Sequence, residues 1–456
     1  MEHPESRWAW SISGSRTLRL VGVGFLALIL LLPIAQIGRL VNERQGRAAG
    51  AVGEIASKWG NAQSIVGPAL VVPYTERTNS VSGTGAPVVT ERTGNAIFLP
   101  RRLQTEGKVN SEIRKRGIFS VPVYRLDLTM EGEFGRPDFG SLGIDPATAE
   151  WSRAHLVVSI SDVRAIQEQN SVQWNDRQVG FLPGTGSFSE FQTGIQAAVR
   201  AEAETPDYRF SFPLTLNGSS TLSLAPFAET TTVNLSSNSA NPSFQGNWLP
   251  TDRTVTGDGF EATWAIPFLG RNYPQAWTEA TPIRPAIDQS LFGVELVEPV
   301  NTYSMAERSL KYAALFLLLT FALMWLIEVL GRVRVHPIQY LLLGAALCLF
   351  YLLELSLSEH LGFSPAYAIA SLAVVGMVGA YSWVIFRQRS RAATVTGAVA
   401  GLYGYLYVLL RNEDYALLMG SVGLFAILGT IMYATRKVDW SAPGSVTAGG
   451  LAQDAN

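Results

Sequence analysis

The chain has 456 residues, a formal charge of -2 and a mean hydropathy of +0.17. So balanced a charge, without a basic stripe, gives no footprint for nucleic acid, whose binding needs clustered Lys and Arg to release counterions; no nucleic-acid partner is expected. The one cysteine, Cys348, excludes an internal disulfide framework.

Apolar residues are spread unevenly. Arg39 to Arg308 is rich in Ser, Thr, Asn, Gly and Pro, whereas Leu310 to Tyr433 is almost continuously apolar. A helix needs about 20 largely apolar residues to cross a ~30 Å hydrocarbon layer. Six stretches qualify, at 20–38 and approximately 312–330, 338–357, 363–386, 392–410 and 415–435. The expected fold is an α+β membrane protein with six transmembrane helices, one N-terminal and five C-terminal, and a large β-rich extracytoplasmic domain. Its expected divisions are a cytoplasmic N-terminus at 1–19, a transmembrane anchor at 20–38, a periplasmic β-rich domain at 39–308, a five-helix transmembrane domain at 309–435 and a cytoplasmic tail at 436–456.

Lys and Arg in short loops set the orientation. One side carries Arg7, Arg16, Arg19, Arg332, Arg334, Arg387, Arg389, Arg391, Arg436 and Lys437; the loops SEHLG and RNEDY on the other carry almost none. Both termini are expected in the cytoplasm, in a multi-pass protein of the inner (plasma) membrane, with the lipid bilayer as its surroundings. A cleaved signal peptide would share the basic start, but the length of the first stretch, Pro33 and the lack of a small-x-small site favour an uncleaved anchor.

Residues 39–58 read as a polar helix leaving the bilayer, after which the period changes. In YRFSFPLTL, Tyr208, Phe210, Phe212, Leu214 and Leu216 alternate with polar positions, predicting a strand with one buried face. Asn217-Gly218 followed by STLSLAPF predicts a tight hairpin, and Pro213 an edge position. Similar alternation in YRLDLTME and FEATWAIPF, with HLVVSIS and TTVNLSS, predicts an antiparallel sheet, sandwich or barrel-like domain. No HExxH, GxSxG, paired cysteine or phosphate-cradling loop occurs in this region, so no catalytic residue, metal ligand or cofactor site is assigned. His155, alone of its kind there, is read as a surface or satisfied residue.

Ionisable groups inside a span are costly and mark functional hypotheses by default. Glu328 lies near the inner end of the second span and Glu354 near the outer end of the third, ~20 Å apart at ~1.5 Å per residue, too far to share a proton. Glu328 can reach Arg332 one turn on; for both acids a structural role is weighed against transport or proton relay. Gly397 and Gly401 form a small-xxx-small pair suited to close helix packing, and Tyr403, Tyr405 and Tyr407 read as interface anchors. Beyond the third span, Glu359 and His360 face water or the underside of the large domain, and with Glu413 and Asp414 they form a polar rim that would dock it.

The blocks RVRVHPIQYLLLG (332–344), FYLLELSLSEHLGF (350–363), LLRNEDYALLMGS (409–421) and MYATRKVDW (432–440) resemble the CreD family of bacterial inner-membrane proteins. So do KWGNAQSIVGPALVVPY (58–74), RKRGIFSVPVYRLDL (114–128), SDVRAI (161–166), NPSFQGNWLP (241–250) and FGVELVEPVNTY (292–303). The resemblance implies a role in cell-envelope integrity or the envelope stress response and carries over no catalytic residue. The leading expectation is a non-enzymatic protein whose periplasmic domain binds an envelope component or protein partner, in an oligomeric state the residues leave open. The second is a transporter or lipid-handling protein using the five C-terminal helices with Glu328 or Glu354. A hydrolase would need an acid/base pair that the sequence does not display.

Overall fold

A computed structural model describes residues 16–81, 87–186, 193–296, 302–331, 333, 335–412 and 415–436. The chain divides into two compact units: a helical one, made of the residues up to Arg47 with those from Val300 onward, and a β-rich one, Ala48–Pro299. In this division residues 39–47 and 302–308 cluster with the helices.

Eight helices are described: α1 (Arg16–Trp59), α2 (Arg284–Gln289), α3 (Thr302–Lys311), α4 (Ala313–Gly331), α5 (Pro337–Leu361), α6 (Phe363–Phe386), α7 (Arg389–Arg411) and α8 (Ala416–Thr435). Six of them, α1 and α4 to α8, are long and apolar enough to cross a membrane. Helix α5 starts where it does because His336 and Gln339 form a reciprocal capping box ahead of Pro337, satisfying amides the first turn leaves unpaired. In the helical unit α1 buries Ala27, Leu30 and Ile37 and turns Val21, Phe25, Leu28 and Leu32 outward. Gly344 of α5 lies close against it, where an added Cβ would strike Leu30 of α1 and Phe321 of α4.

The β-rich unit holds two sheets. The nine-stranded sheet runs β13 (Pro242–Gly246), β17 (Phe292–Leu296), β11 (Thr221–Leu224), β1 (Gln63–Val81), β5 (His155–Ile160), β9 (Gly194–Ala198) and β8 (Leu182–Pro183). Strand β2 (Pro87–Phe98) also pairs with β1, and β16 (Ala276–Thr278) with β2. The eight-stranded sheet runs β14 (Asp252–Thr256), β15 (Gly259–Pro267), β12 (Thr230–Ser237), β3 (Arg102–Arg116), β4 (Phe119–Gly135), β10 (Asp207–Ser219), β6 (Ser171–Trp174) and β7 (Arg177–Gly180). The predicted alternation holds: Leu126, Leu128 and Met130 of β4 and Phe260, Ala262, Trp264 and Ile266 of β15 are buried. One continuous core joins the sheets, with the Trp264 ring 5.5 Å from Phe292 and 5.8 Å from Phe244, and Tyr124 Oη donating to the Thr221 carbonyl at 2.8 Å.

Two expectations are corrected. The sheets are mixed, since β1 pairs with β11 and β3 with β12 in parallel. Nor does Asn217-Gly218 make a hairpin: both residues stay in β10 opposite Arg125 and Tyr124, and the chain crosses to the other sheet at Ser220, whose φ is 59°. Asn217 is buried on its strand, so the pairing with β4 overrides the local turn preference. Pro213 does sit where β10 has only β4 beside it, past the short ladder with β6.

The segment after α1 is stitched to that crossing. Gly60 lies at φ 151° with no room for a Cβ against the Asn217 carbonyl. Gln63 Nε2 donates to the carbonyls of Asn217 and Asp162, at 2.9 and 3.3 Å, while Asp162 accepts from the Asn61 amide at 3.2 Å and its Nδ2 at 2.8 Å. The Arg164 guanidinium, donating at 2.9 and 3.0 Å, and the Asn61 groups hold the Asp162 carboxyl below its ordinary value of 3.8. A depressed carboxyl contributes stability above its unfolded pKa and loses it as pH falls through the folded one. Urea unfolding of the full chain in detergent, followed by tryptophan fluorescence, should lose about 1–3 kcal/mol as pH drops below 3.8, a loss that Asp162→Asn flattens.

Candidate functional site

Helix α5 presents Cys348, Tyr351, Glu354, Leu355 and Ser358 at three- and four-residue spacing, all buried inside the helical unit. Glu354 is 1% exposed; its Oε2 accepts from Ser309 Oγ of α3 at 2.8 Å, while Oε1 and the Tyr351 hydroxyl, also buried, have no hydrogen-bond partner among the described residues. Around them stand rings from four helices. Phe350 lies 4.4 Å from Tyr403 of α7 and 5.3 Å from Tyr367 of α6, and Phe316 of α4 lies 5.8 Å from Tyr403. Tyr367 Oη donates to the Tyr403 carbonyl at 2.7 Å, anchoring α6 to α7 within the core. The arrangement surrounds one carboxyl with hydroxyls and ring faces, with no cationic partner among the described residues.

Glu328 occupies a separate place. It is buried near the end of α4, and Tyr340 Oη of α5 donates to its Oε2 at 3.0 Å. Arg332, its expected partner, lies outside the described residues. Tyr340 and Glu354 are 14 residues apart on one helix, ~21 Å along its axis.

Glu359 and His360 fall in the last turn of α5 rather than in a loop. His360 is exposed, but Glu359 turns inward: its side chain is 9% exposed, Tyr303 Oη of α3 donates to Oε1 at 3.1 Å, and Arg44 Nε of α1 stands 3.7 Å away. Burial, reinforced by the charge of Glu359, pushes the Tyr303 hydroxyl up to about 12. Val41, Ala306 and Leu355 pack beneath this junction. Glu413 and Asp414, the other half of the expected rim, lie outside the described residues.

Gly397 and Gly401 do not form a packing seam within the chain. Both are exposed, with no atom within 4 Å of an added Cβ, because α7 buries its other face, Ala392, Val395, Val399, Tyr403 and Leu406. Gly401 instead lines an apolar groove of about 410 Å³ with Leu323 of α4 and Ile427 of α8. The tyrosines differ too from the interface anchors they resemble. Tyr403 is core, Tyr405 donates to the Met419 carbonyl of α8, and Tyr407 donates to Ser364 Oγ, which also accepts from Arg411.

In the β-rich unit His155 is neither at the surface nor fully satisfied. It opens β5 at 9% exposure, Nδ1 lies 3.4 Å from the Arg153 carbonyl, Nε2 has no partner among the described residues, and burial lowers its pKa. Among the described residues no group of three or more His, Cys, Asp or Glu is placed to hold a metal ion.

Sequence reasoning missed Arg44, Tyr303 and Ser309. The trace it could have followed is the spacing of Tyr303, Ala306 and Ser309 on one face of α3, a short amphipathic helix. Removing a partner of a largely buried carboxylate leaves it uncompensated, and the half-exposed Arg44 tempers the cost. Arg44→Ala and Glu359→Ala should each lower the stability of the helical unit by about 1–3 kcal/mol in SDS titration of the detergent-solubilised protein, with Glu359→Gln losing less because it still accepts from Tyr303.

Comparison with known proteins gives a family match over nearly the whole chain. Residues 15–441 fit the family described as Inner membrane protein CreD. The chain is 31% identical over 420 residues to Inner membrane protein CreD of Escherichia coli (strain K12), covering 91% of each. Two crystal structures of an M1 zinc metallopeptidase from Deinococcus radiodurans align at 10% and 9% identity, over 74% and 71% of this chain and 94% and 92% of theirs, with TM-scores of 0.20 and 0.19 that relate no fold.

Proposed function

Because the chain belongs to the CreD family and is a multi-pass inner membrane protein, we propose that it maintains cell-envelope integrity by binding an envelope component or partner through its β-rich unit, without catalysis. The observation that carries this reading is the closure of both intramembrane carboxyls. Glu328 of α4 and Glu354 of α5 are each buried, held by hydroxyls near opposite ends of α5, so the described helices offer no continuous charged path, whereas the β-rich unit has a core of its own. Placement of that unit in the periplasm, with both termini cytoplasmic, is supported by the Arg-rich set of short loops.

A second reading, transport or lipid handling through the helices, is favoured by the unpartnered Glu354 Oε1 in its ring of hydroxyls. The two readings part in one experiment, dye permeability of the envelope in a strain lacking the protein. Under the leading reading, the β-rich unit tethered by α1 alone restores the barrier at least half-way, and full-length Glu328→Gln/Glu354→Gln restores it fully. If the tethered unit fails while the well-expressed double variant is also inactive, the work lies among the helices and the second reading takes its place.

A further inference from the structure

Arg271 follows a short turn, Phe268–Gly270, at the end of β15. It is 7% exposed. Its Nη2 donates to Gln275 Oε1, and its guanidinium lies 4.7 Å from the centre of the Tyr273 ring, but Nε and Nη1 are buried with no acceptor in hydrogen-bond geometry among the described residues. No carboxylate among the described residues forms an ion pair with it; burial lowers its pKa, opposed by the Tyr273 hydroxyl, through charge and a hydrogen bond, and by Glu229 from further away. Gln275 is fixed for its part, Nε2 donating to the carbonyls of Leu99 and Pro100 at 3.0 and 2.6 Å. Close by, the Nε1 of buried Trp277 also lacks an acceptor, and Tyr273 and Trp277 flank the same ring, Phe227, at 6.1 and 6.2 Å. This corner is rich in donors and poor in acceptors.

A carboxyl in such a place can take up a proton and become neutral; a guanidinium cannot give one up. A buried positive charge without a carboxylate partner is costly, and Tyr273, through its ring face and hydroxyl, offsets part of that cost. An oxyanion would supply the missing acceptors. What surrounds the corner narrows its chemistry. Gly270 lies against the ring of Trp248, bringing two loops together, and the large apolar residues on those loops are exposed: Leu249 at 67%, Phe268 at 45% and Leu269 at 83%.

We infer that Arg271 is the anchor of a binding site for an anionic amphiphile, its phosphate or carboxylate accepting from the unpartnered N–H groups while its alkyl portion covers Leu249, Phe268 and Leu269. The inference rests on the reading that the β-rich unit is the binding part of the protein, and it names the class of envelope component bound.

The test uses the full chain in maltoside micelles, with the quenching of tryptophan fluorescence by hexyl phosphate, inorganic phosphate and hexanol as readout. Hexyl phosphate should bind saturably, at least tenfold more tightly than inorganic phosphate, and hexanol should give no saturable signal. Arg271→Gln should weaken hexyl phosphate at least tenfold, and Arg271→Lys, which keeps the charge, should weaken it less. Leu269→Ser, an exposed change that leaves the fold intact, should weaken hexyl phosphate but not inorganic phosphate. Absence of saturable binding by the wild type, or equal binding by a folded Arg271→Gln, overturns the site; equal affinity for the two phosphates, or indifference to Leu269→Ser, overturns the amphiphile. Should hexyl phosphate bind as described while the tethered unit fails to restore the envelope barrier, the site stands and the functional reading falls.

Discussion

Hydrocarbon offers no partner to a peptide N–H or C=O, and the helical half of this protein is organised by that fact. Every spanning segment closes its backbone bonds within itself, leaving side chains to decide how the helices meet. Three polar groups admitted to the interior are met by hydroxyls, Ser309 for Glu354 Oε2, Tyr340 for Glu328, and the Tyr367 hydroxyl for a backbone carbonyl of α7, while Glu354 Oε1 and the Tyr351 hydroxyl find no partner among the described residues. A tyrosine suits this task because its ring packs as a large apolar body while its tip donates one strong hydrogen bond. Where α5 and α1 must approach closely, the side chain is removed altogether, at Gly344. An Arg–Glu contact between helices, Arg44 with Glu359, lies at the very end of α5, where α1 has run beyond its apolar stretch.

The β-rich unit is under a different constraint. With the cysteine of the chain confined to α5, it must be held by packing and hydrogen bonds alone. Its aromatic residues, Trp264, Phe292 and Phe244 among them, fill the space between two sheets, and Gln63, Asp162 and Asn61 tie the start of β1 to the point where the chain changes sheets. Such a network contributes most when every member is satisfied, as the two side-chain groups of Gln63 and the oxygens of Asp162 are here. Arg271 and His155 depart from that economy, with two buried nitrogens of the one and one of the other left without an acceptor or donor in hydrogen-bond geometry among the described residues.

Hydropathy made the six spanning segments legible, since the energy that places them is summed over about 20 neighbouring residues and tolerates errors at any one. Period-two alternation made β4, β10, β12 and β15 legible for a similar reason. The failures share a cause. Asn217-Gly218 has the local chemistry of a turn, but its conformation is set by β4, some ninety residues earlier in the chain. Gly397 and Gly401 have the spacing of a packing seam, but which face of α7 is buried depends on the neighbours of Tyr403 and Val399. Glu359 was visible as a charge at a span end, yet its partners Arg44 and Tyr303 stand 315 and 56 residues away, and no pattern in a single sequence brings three such positions together.

Strand β1 is central to the nine-stranded sheet. Its N-terminal part pairs with β11, roughly 160 residues later, and with β5; its remainder pairs with β2. During synthesis β2 can close on it early, whereas the edge reserved for β11 stays open until more than half of the unit has left the ribosome. Contacts so distant in sequence are slow to form and leave hydrogen-bonding edges free to mispair in the meantime. The yield of correctly folded protein therefore depends on how Gln63–Ile65 is shielded while Leu222 and Leu224 are still to come, a kinetic demand that the finished sheet no longer displays.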